Sequence, residues 1–577
     1  MFIKNLKRTY NILYKEEKKK LIKLFFLTLL VTFFELISLG SIPVYISLIF
    51  EPTLMDKYLL KLNASNLIVI HQGKNFIYYL SFAVIGIFLI KNIFIGFFYY
   101  FNSRFIQDLN VRIGKEIYRK NIYSDYLLHI NRSPAELIRN HGEIRKFANL
   151  IGHYQRLLLE IILLFFILII SIKVFFEITI LFFLIFFLFY LFYFIAIKKW
   201  LNKAGRKIQT YKKIELSLLE NTFSAIKEIK FNLKELFFIK IFNDNYFKIN
   251  RVIFLQGLIN RIPKISLEML AIVSITLVSI FLYLGEASNA IKISNLSFLS
   301  VVALRLIPAF NGISVATTAI KYTEPSIDII EKDLNNLSNY SNLDYKNEKK
   351  YSKEIKTIKL ENLAFNYGSK SETLFSNINL EIKKNDKIGV FGKSGSGKTS
   401  LVNLLTGLIP PIMGNIFING VNISDKPNFF YNKISYIAQD TILFNDTIIN
   451  NITFNAEVVN NEKLEKIIEI CKLNKFIKST PLGLKAEIGE KGLKISGGQK
   501  QRIGIARALY KDFDLLILDE ATSALHEDYE KDILKSIYDL FEDKIIIIIS
   551  HNIKNLENCN KVVEIENNKL NIKDRSL

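Results

Sequence analysis

Cysteine is nearly absent, with two residues in 577, Cys471 and Cys559. So few thiols give no disulfide framework, and nothing around them suggests a metal-binding cluster. Acidic residues are in deficit too, 54 against 76 Lys and Arg, which leaves a formal charge of +22. Such an excess can serve nucleic acid, but the chain lacks a single basic patch with interleaved aromatics. Its cations flank apolar runs instead, so no nucleic-acid partner is expected and a lipid bilayer is. A cleavable leader is also missing: the run from Leu21 to Phe50 is much longer than the h-region of a signal peptide, and it reads as a membrane helix that stays.

Apolar length is what the chain has in plenty. Half of its residues are hydrophobic, 47 of them Phe, and 577 residues are too many for one core, so at least two folding units are expected. Further runs of about twenty residues, the length that crosses a ~30 Å hydrocarbon core, lie at Phe76 to Tyr100, Leu157 to Val174, Ile178 to Ile197, Ile265 to Leu284 and Leu296 to Ile320. With the first they make six spans. Lys and Arg gather before the first span, after the second (Arg104, Arg112, Lys115, Arg119, Lys120) and after the fourth (Lys198 to Lys213), which places those segments and both chain ends in the cytoplasm. The stretches from Asn102 to Arg156 and from Lys198 to Lys264 keep helical periodicity and are expected to carry the membrane helices into the cytosol. Met55 to Leu62 reads as an amphipathic helix at the outer surface or as a plain loop helix.

Charges inside spans are costly and mark a cavity or a partner. Glu35, Lys91, Lys264, Glu268 and Arg305 are of this kind. Lys264 either pairs with Glu268 one turn on, snorkels to the interface or faces a cavity; Arg305 sits deeper, and Pro308 loosens the backbone beside it. From Glu331 the composition turns to Asn, Ser, Lys, Glu and Tyr without apolar periodicity. The expected division is therefore a membrane part at 1–330, a linker at 331–354 and a second domain at 355–577.

That second domain opens its chemistry at Gly392-Lys393-Ser394-Gly395-Ser396-Gly397-Lys398-Thr399, between an apolar run (Ile388 to Phe391) and a helical one (Ser400 to Leu405). Glycines let successive N–H groups turn inward around a polyphosphate, the helix start adds its dipole, and Lys398 reaches the β- and γ-phosphates. Leu515 to Leu518 is an apolar run fit for a strand buried on both faces, ending in Asp519 and Glu520. An acid at such a strand end holds Mg²⁺, and the next accepts a proton from an attacking water. The strand-like run Ile545 to Ile549 delivers Ser550 and His551. Tyr367, about thirty residues before Lys398, is placed to stack on a base or belongs to the core.

With Gln439 in Tyr436-Ile437-Ala438-Gln439-Asp440, Glu490 in Gly489-Glu490-Lys491-Gly492 and the run Ile495-Ser496-Gly497-Gly498-Gln499-Lys500-Gln501-Arg502, the chain resembles ATP-binding cassette exporters in their half-transporter form over nearly its whole length. The resemblance implies an α-helical six-span transmembrane domain fused to an α/β P-loop NTPase (ABC-type) nucleotide-binding domain. It further implies an ATP hydrolase coupled to transport, with ATP and Mg²⁺ as cofactors, in a bacterial cytoplasmic (inner) membrane. Tyr367, Gly392, Ser394, Gly395, Ser396, Gly397, Lys398, Thr399 and Ser400 would bind one ATP, with Thr399, Gln439 and Asp519 toward Mg²⁺. Ser496, Gly497, Gly498 and Gln499 would complete the site of an opposing subunit, so a second copy is the expected partner, with a heterodimer as the other arrangement. Glu520, His551 and Gln439 take the catalytic roles of base, phosphate sensor and link to the membrane part. Two departures stand out: Ile495 where Leu is usual, and His526 in Ser523-Ala524-Leu525-His526 where the family has Asp, with Glu527 and Asp528 next to it.

Local stretches are similar to bacterial flippases of polyprenyl-pyrophosphate-linked oligosaccharides: Phe444 to Ile448, Ile262-Pro263-Lys264 and Ala303 to Pro308. That resemblance makes Lys91, Lys264 and Arg305 cavity cations for a pyrophosphate. The other readings are export of another lipid such as the lipid A core, of a peptide or of a hydrophobic compound, and a non-transporting regulatory membrane ATPase subunit.

Overall fold

The computed structural model describes residues 2–50, 76–174, 176–284, 289–336, 351–367, 373–423, 427–489, 492, 494–523, 525–551, 553–566 and 568–574. The chain divides into two compact units, Met1–Ser124 with Asn131–Asn342, and Asp125–Ile130 with Leu343–Leu577.

The first unit is helical: α1 (Phe2–Ile12), α2 (Lys15–Phe50), α3 (Phe76–Ile122), α5 (Pro134–Val174), α6 (Phe176–Ser224), α7 (Ile226–Phe231), α8 (Glu235–Leu284), α9 (Asn289–Thr323) and α10 (Pro325–Asn336), while the short α4 (Tyr126–Ile130) groups with the second unit. Four of the described helices are long and apolar enough to cross a membrane, over Lys15–Ile46, Ile77–Ile122, Pro134–Ile172 and Ser300–Thr323. The runs at Ile178 to Ile197 and Ile265 to Leu284 lie inside α6 and α8. Each long helix outruns its apolar stretch, as the periodicity of the basic segments requires. In α3 the turns beyond the apolar run bury Phe105, Leu109, Ile113 and Ile117, a stripe with a four-residue step, against Ile144, Phe147 and Ile151 of α5. A second cluster joins Leu163 and Ile167 of α5, Leu267 of α8, and Leu306 and Phe310 of α9. Pro43, Pro263 and Pro308 are all accommodated within helices.

One boundary moves. The expected linker begins at Glu331, but α10 runs through Asn336 with Ile327, Ile330 and Asp333 buried. The polar composition there belongs to its outer face, and its acids are used: Asp328 and Glu331 hold Arg8 of α1, and Asp333 takes Arg132 at 3.2 Å and the Asn140 amide at 3.0 Å. Met55 to Leu62 and residues 337–350 lie outside the described residues.

In the second unit β1 (Thr357–Phe365), β2 (Phe375–Lys383), β4 (Met413–Ile418) and β5 (Val421–Asn422) form an antiparallel sheet in the order β2-β1-β4-β5. A six-stranded sheet has the order β10-β9-β3-β8-β7-β6, from β3 (Lys387–Gly392), β6 (Ile434–Ile437), β7 (Leu515–Asp519), β8 (Ile545–Ile549), β9 (Lys561–Glu566) and β10 (Lys569–Asp574). Its inner strands are parallel, with β8 between β3 and β7. All five residues of β7 and all five of β8 are buried, which is why Leu515 to Leu518 and Ile545 to Ile549 read as unbroken apolar runs. One core lies between the sheets; the other packs the far face of the large sheet against α12 (Gly497–Tyr510) and α13 (Glu527–Leu540).

Candidate nucleotide site and charged cluster in the helical unit

The parallel register of β3, β7 and β8 brings three strand ends together, and each carries a piece of chemistry. From β3 the chain turns through Gly395 (φ +81°) and Gly397 (φ +97°) into α11 (Lys398–Leu405), whose N-cap is Gly397. A Cβ on Gly397 would lie 2.9 Å from the Phe375 ring, so this position needs glycine for both conformation and space. Lys398 is buried, and its ammonium donates to the carbonyl oxygens of Gly392 and Lys393, each at 3.1 Å. A buried cation satisfied, among the described residues, by neutral carbonyls beside a helix N-terminus is a site prepared for an anion. Tyr367 closes one side of the loop, its hydroxyl 2.7 Å from Ser400 Oγ and its ring edge-on to Phe365.

Asp519, at the end of β7, receives Thr399 Oγ1 at 3.1 Å and the Tyr436 hydroxyl at 3.0 Å on the same carboxylate oxygen. Burial pushes its carboxyl above the usual carboxylate range in spite of those donors, and pushes the Tyr436 phenol up as well. The Thr399 hydroxyl and the Asp519 carboxylate are hard oxygen donors in direct contact, with the Gln439 amide nearby through Glu520, so this set fits Mg²⁺. Glu520 follows with a left-handed backbone (φ +49°), a conformation that costs a non-glycine residue about 1–2 kcal/mol. Its two oxygens are both taken: Gln439 Nε2 donates to one at 2.7 Å, and His551 Nε2, delivered by β8, lies 2.6 Å from the other.

Ser496 caps α12 in a reciprocal box: its Oγ accepts the Gln499 N–H at 3.3 Å, and Gln499 Oε1 accepts the Ser496 N–H at 2.9 Å. A Cβ on Gly497 would meet nothing within 4 Å, so this helix start is open to an approaching group. His526 caps α13 without a side-chain bond and is mostly exposed, 3.5 Å from Asp528, while Glu530 takes the tie to Thr522 and to Asn555. Glu490 lies outside the described residues.

In the first unit the three proposed cavity cations are in different circumstances. Lys264 is exposed and only 3.8 Å from Glu268, and Lys91 lies over the Phe88 ring at 4.7 Å. Arg305 is instead paired from two sides, Nε to Glu35 of α2 at 2.7 Å and Nη2 to Glu160 of α5 at 3.4 Å. The Nε contact is one of charge and proximity, since that N–H is not aligned for a hydrogen bond. Sequence reasoning missed Glu160 and the Tyr436 hydroxyl. A lone acid three residues into an apolar run was the available signal for Glu160; Tyr436, in a strand one place over from β7, offered none.

Residues 375–523 match the family described as ABC transporter. Over 215 residues the chain is 37% identical to the ATP-dependent lipid A-core flippase of Desulfotalea psychrophila, a match covering 37% of each chain. It is also 38% identical over 215 residues to the protein of that name from Pseudoalteromonas translucida, covering 36% of this chain and 37% of the relative. The match thus spans little more than a third of these relatives' length. The structure superposes on a bacterial Atm1-family ABC exporter solved with ATP bound, with a TM-score of 0.76 at 17% identity, covering 96% of this chain and 95% of that one. Residues 375–523 are thus an ABC transporter domain, and the chain takes the ABC exporter fold in its half-transporter arrangement, one membrane-spanning helical part followed by one nucleotide-binding part.

Proposed function

We propose that this chain is an ATP-driven exporter that flips a phosphate-bearing glycolipid across a bacterial inner membrane, working as a homodimer with both termini and the nucleotide-binding parts in the cytoplasm. The observation that carries the reading is Glu520 held between Gln439 and His551 at the end of a strand beside the phosphate loop, on a chain with four described helices long and apolar enough to cross a membrane. A regulatory subunit without turnover would have no need to keep that pair.

Lys398 and the N–H groups of 392–399 bind the β- and γ-phosphates, and Thr399, Gln439 and Asp519 would hold Mg²⁺, whose charge would neutralise that developing on the phosphoryl oxygens. Glu520 accepts a proton from a water attacking the γ-phosphorus in line. The new P–O bond forms as the bond to the bridging oxygen breaks, leaving ADP and inorganic phosphate. His551 must turn from Glu520 toward the γ-phosphate for this to proceed. The Ser496 to Gln499 helix start of a second copy supplies donors to the other side of the same triphosphate.

For cargo, the half-buried Lys91 and the exposed Lys264 favour an anionic head. A polyprenyl-pyrophosphate oligosaccharide fits them, and the lipid A-core named for the relatives shares the phosphate and the sugars. The experiment is nucleotide turnover by Glu520→Gln: hydrolysis should fall about 10²- to 10⁴-fold with ATP binding retained, and unchanged turnover would remove Glu520 as the base.

A further inference from the structure

Where α3 leaves its apolar stretch, its outer face and the start of α2 enclose a groove of about 840 Å³. Phe97, Tyr99, Tyr100 and Phe101 are all exposed immediately before it, an aromatic band of the kind that marks the membrane–water boundary. The stripe Phe105, Leu109, Ile113 turns inward, so Arg104, Asp108, Val111 and Lys115 turn outward along one face, and all four line the groove. Its acids are already used: Asp108 pairs with Lys20 at 3.1 Å, and Glu17 with Arg112 at 2.7 Å. Two cations remain over. Among the described residues Arg104 touches only the Tyr100 hydroxyl, at 3.4 Å, and Lys115 forms no ion pair.

The spacing says what kind of anion fits. Arg104 lies one turn, about 6 Å, past Tyr100, at the depth of lipid phosphates, and Lys115 is about 16 Å further along the helix. A simple phospholipid head would reach only the first of these. A phosphate followed by sugars would run the whole length, past the uncharged hydrogen-bonding side chain of Gln107. We propose that this groove is the loading site for the phosphate-linked glycan head of a lipid in the cytoplasmic leaflet, with Arg104 on the phosphate and Lys115 toward the distal sugars. The inference rests on the reading of the cargo as a phosphoglycolipid and adds a site outside the spans that receives it.

The test uses the full-length protein in phosphatidylcholine vesicles, with a short polyprenyl-pyrophosphate oligosaccharide as probe and ATP hydrolysis as readout. In R104A/K115A the lipid concentration for half-stimulation should rise about 10- to 30-fold, and Arg104→Lys should recover most of it. A photo-crosslinker at Gln107 should label the glycolipid, with phosphatidylglycerol and the lipid-free oligosaccharide pyrophosphate both poor competitors. Unchanged half-stimulation in the double variant, equal competition by phosphatidylglycerol, or crosslinking to a second copy in place of lipid would each overturn the site. If the unaltered protein neither responds to nor flips the probe, the functional reading fails; if it flips the probe and the Gln107 crosslink misses it, only the groove does.

Discussion

Asp519 shows how one residue trades stability for chemistry. Its carboxyl is 3% exposed and held above the ordinary carboxylate range by burial. A group whose folded pKa is raised favours the folded state at low pH, and that benefit is lost as pH rises through the folded value. Ionising the ligand-free Asp519 therefore weakens the fold, a cost that a bound cation would offset. Asp519→Asn should raise the melting temperature of ligand-free protein by about 2–4 °C, from roughly 1 kcal/mol, while Mg²⁺-dependent hydrolysis is lost; a lower melting temperature would show that the Thr399 and Tyr436 bonds outweigh burial. The cysteines complete the residue scale. Cys471 and Cys559 are both buried; burial raises the Cys471 thiol, which keeps it unreactive in the folded chain, and Cys559 Sγ lies 3.6 Å from the Tyr538 hydroxyl.

Among elements, the ion cluster joining α2, α5 and α9 carries a large energetic consequence. Arg305, Glu35 and Glu160 have side chains 17%, 10% and 10% exposed, and removing the arginine strands two acids in an apolar bundle. Arg305→Ala should cost about 3–5 kcal/mol, read as a lower melting temperature of detergent-solubilised protein. Adding Glu35→Gln and Glu160→Gln should restore most of the loss. An Arg305→Ala protein that melts normally and loses only lipid stimulation would make Arg305 a cargo contact rather than a tie between helices. The elements themselves were largely legible in the sequence. Apolar runs of membrane length gave the spans, and continued periodicity gave their extensions, because helix geometry repeats whatever the solvent. The end of the first unit was not legible: α10 buries only a few of its residues, so its composition resembles a linker. The phosphate loop, Asp519 and Glu520 could be read because their chemistry fixes residue type and spacing. The contacts that hold Asp519 and Arg305 could not, since Tyr436 and Glu160 reach them from elements distant in sequence.

For the whole molecule, the proposed function has two copies share each nucleotide, with the open start of α12 at Ser496 and Gly497 facing the other copy's phosphate loop at 392–399. With both native cysteines buried, Ser394→Cys combined with Ser496→Cys should give a disulfide-linked dimer when ATP is bound and monomer without it, seen on a non-reducing gel. A crosslink within one chain would contradict the shared site. The central claim, that hydrolysis at Glu520 moves a phosphoglycolipid, is tested most directly by following a fluorescent polyprenyl-pyrophosphate oligosaccharide in liposomes. We expect ATP to move its head across the bilayer with the unaltered protein and not with Glu520→Gln. Equal movement with both proteins, or hydrolysis with no movement of this lipid, would contradict the account.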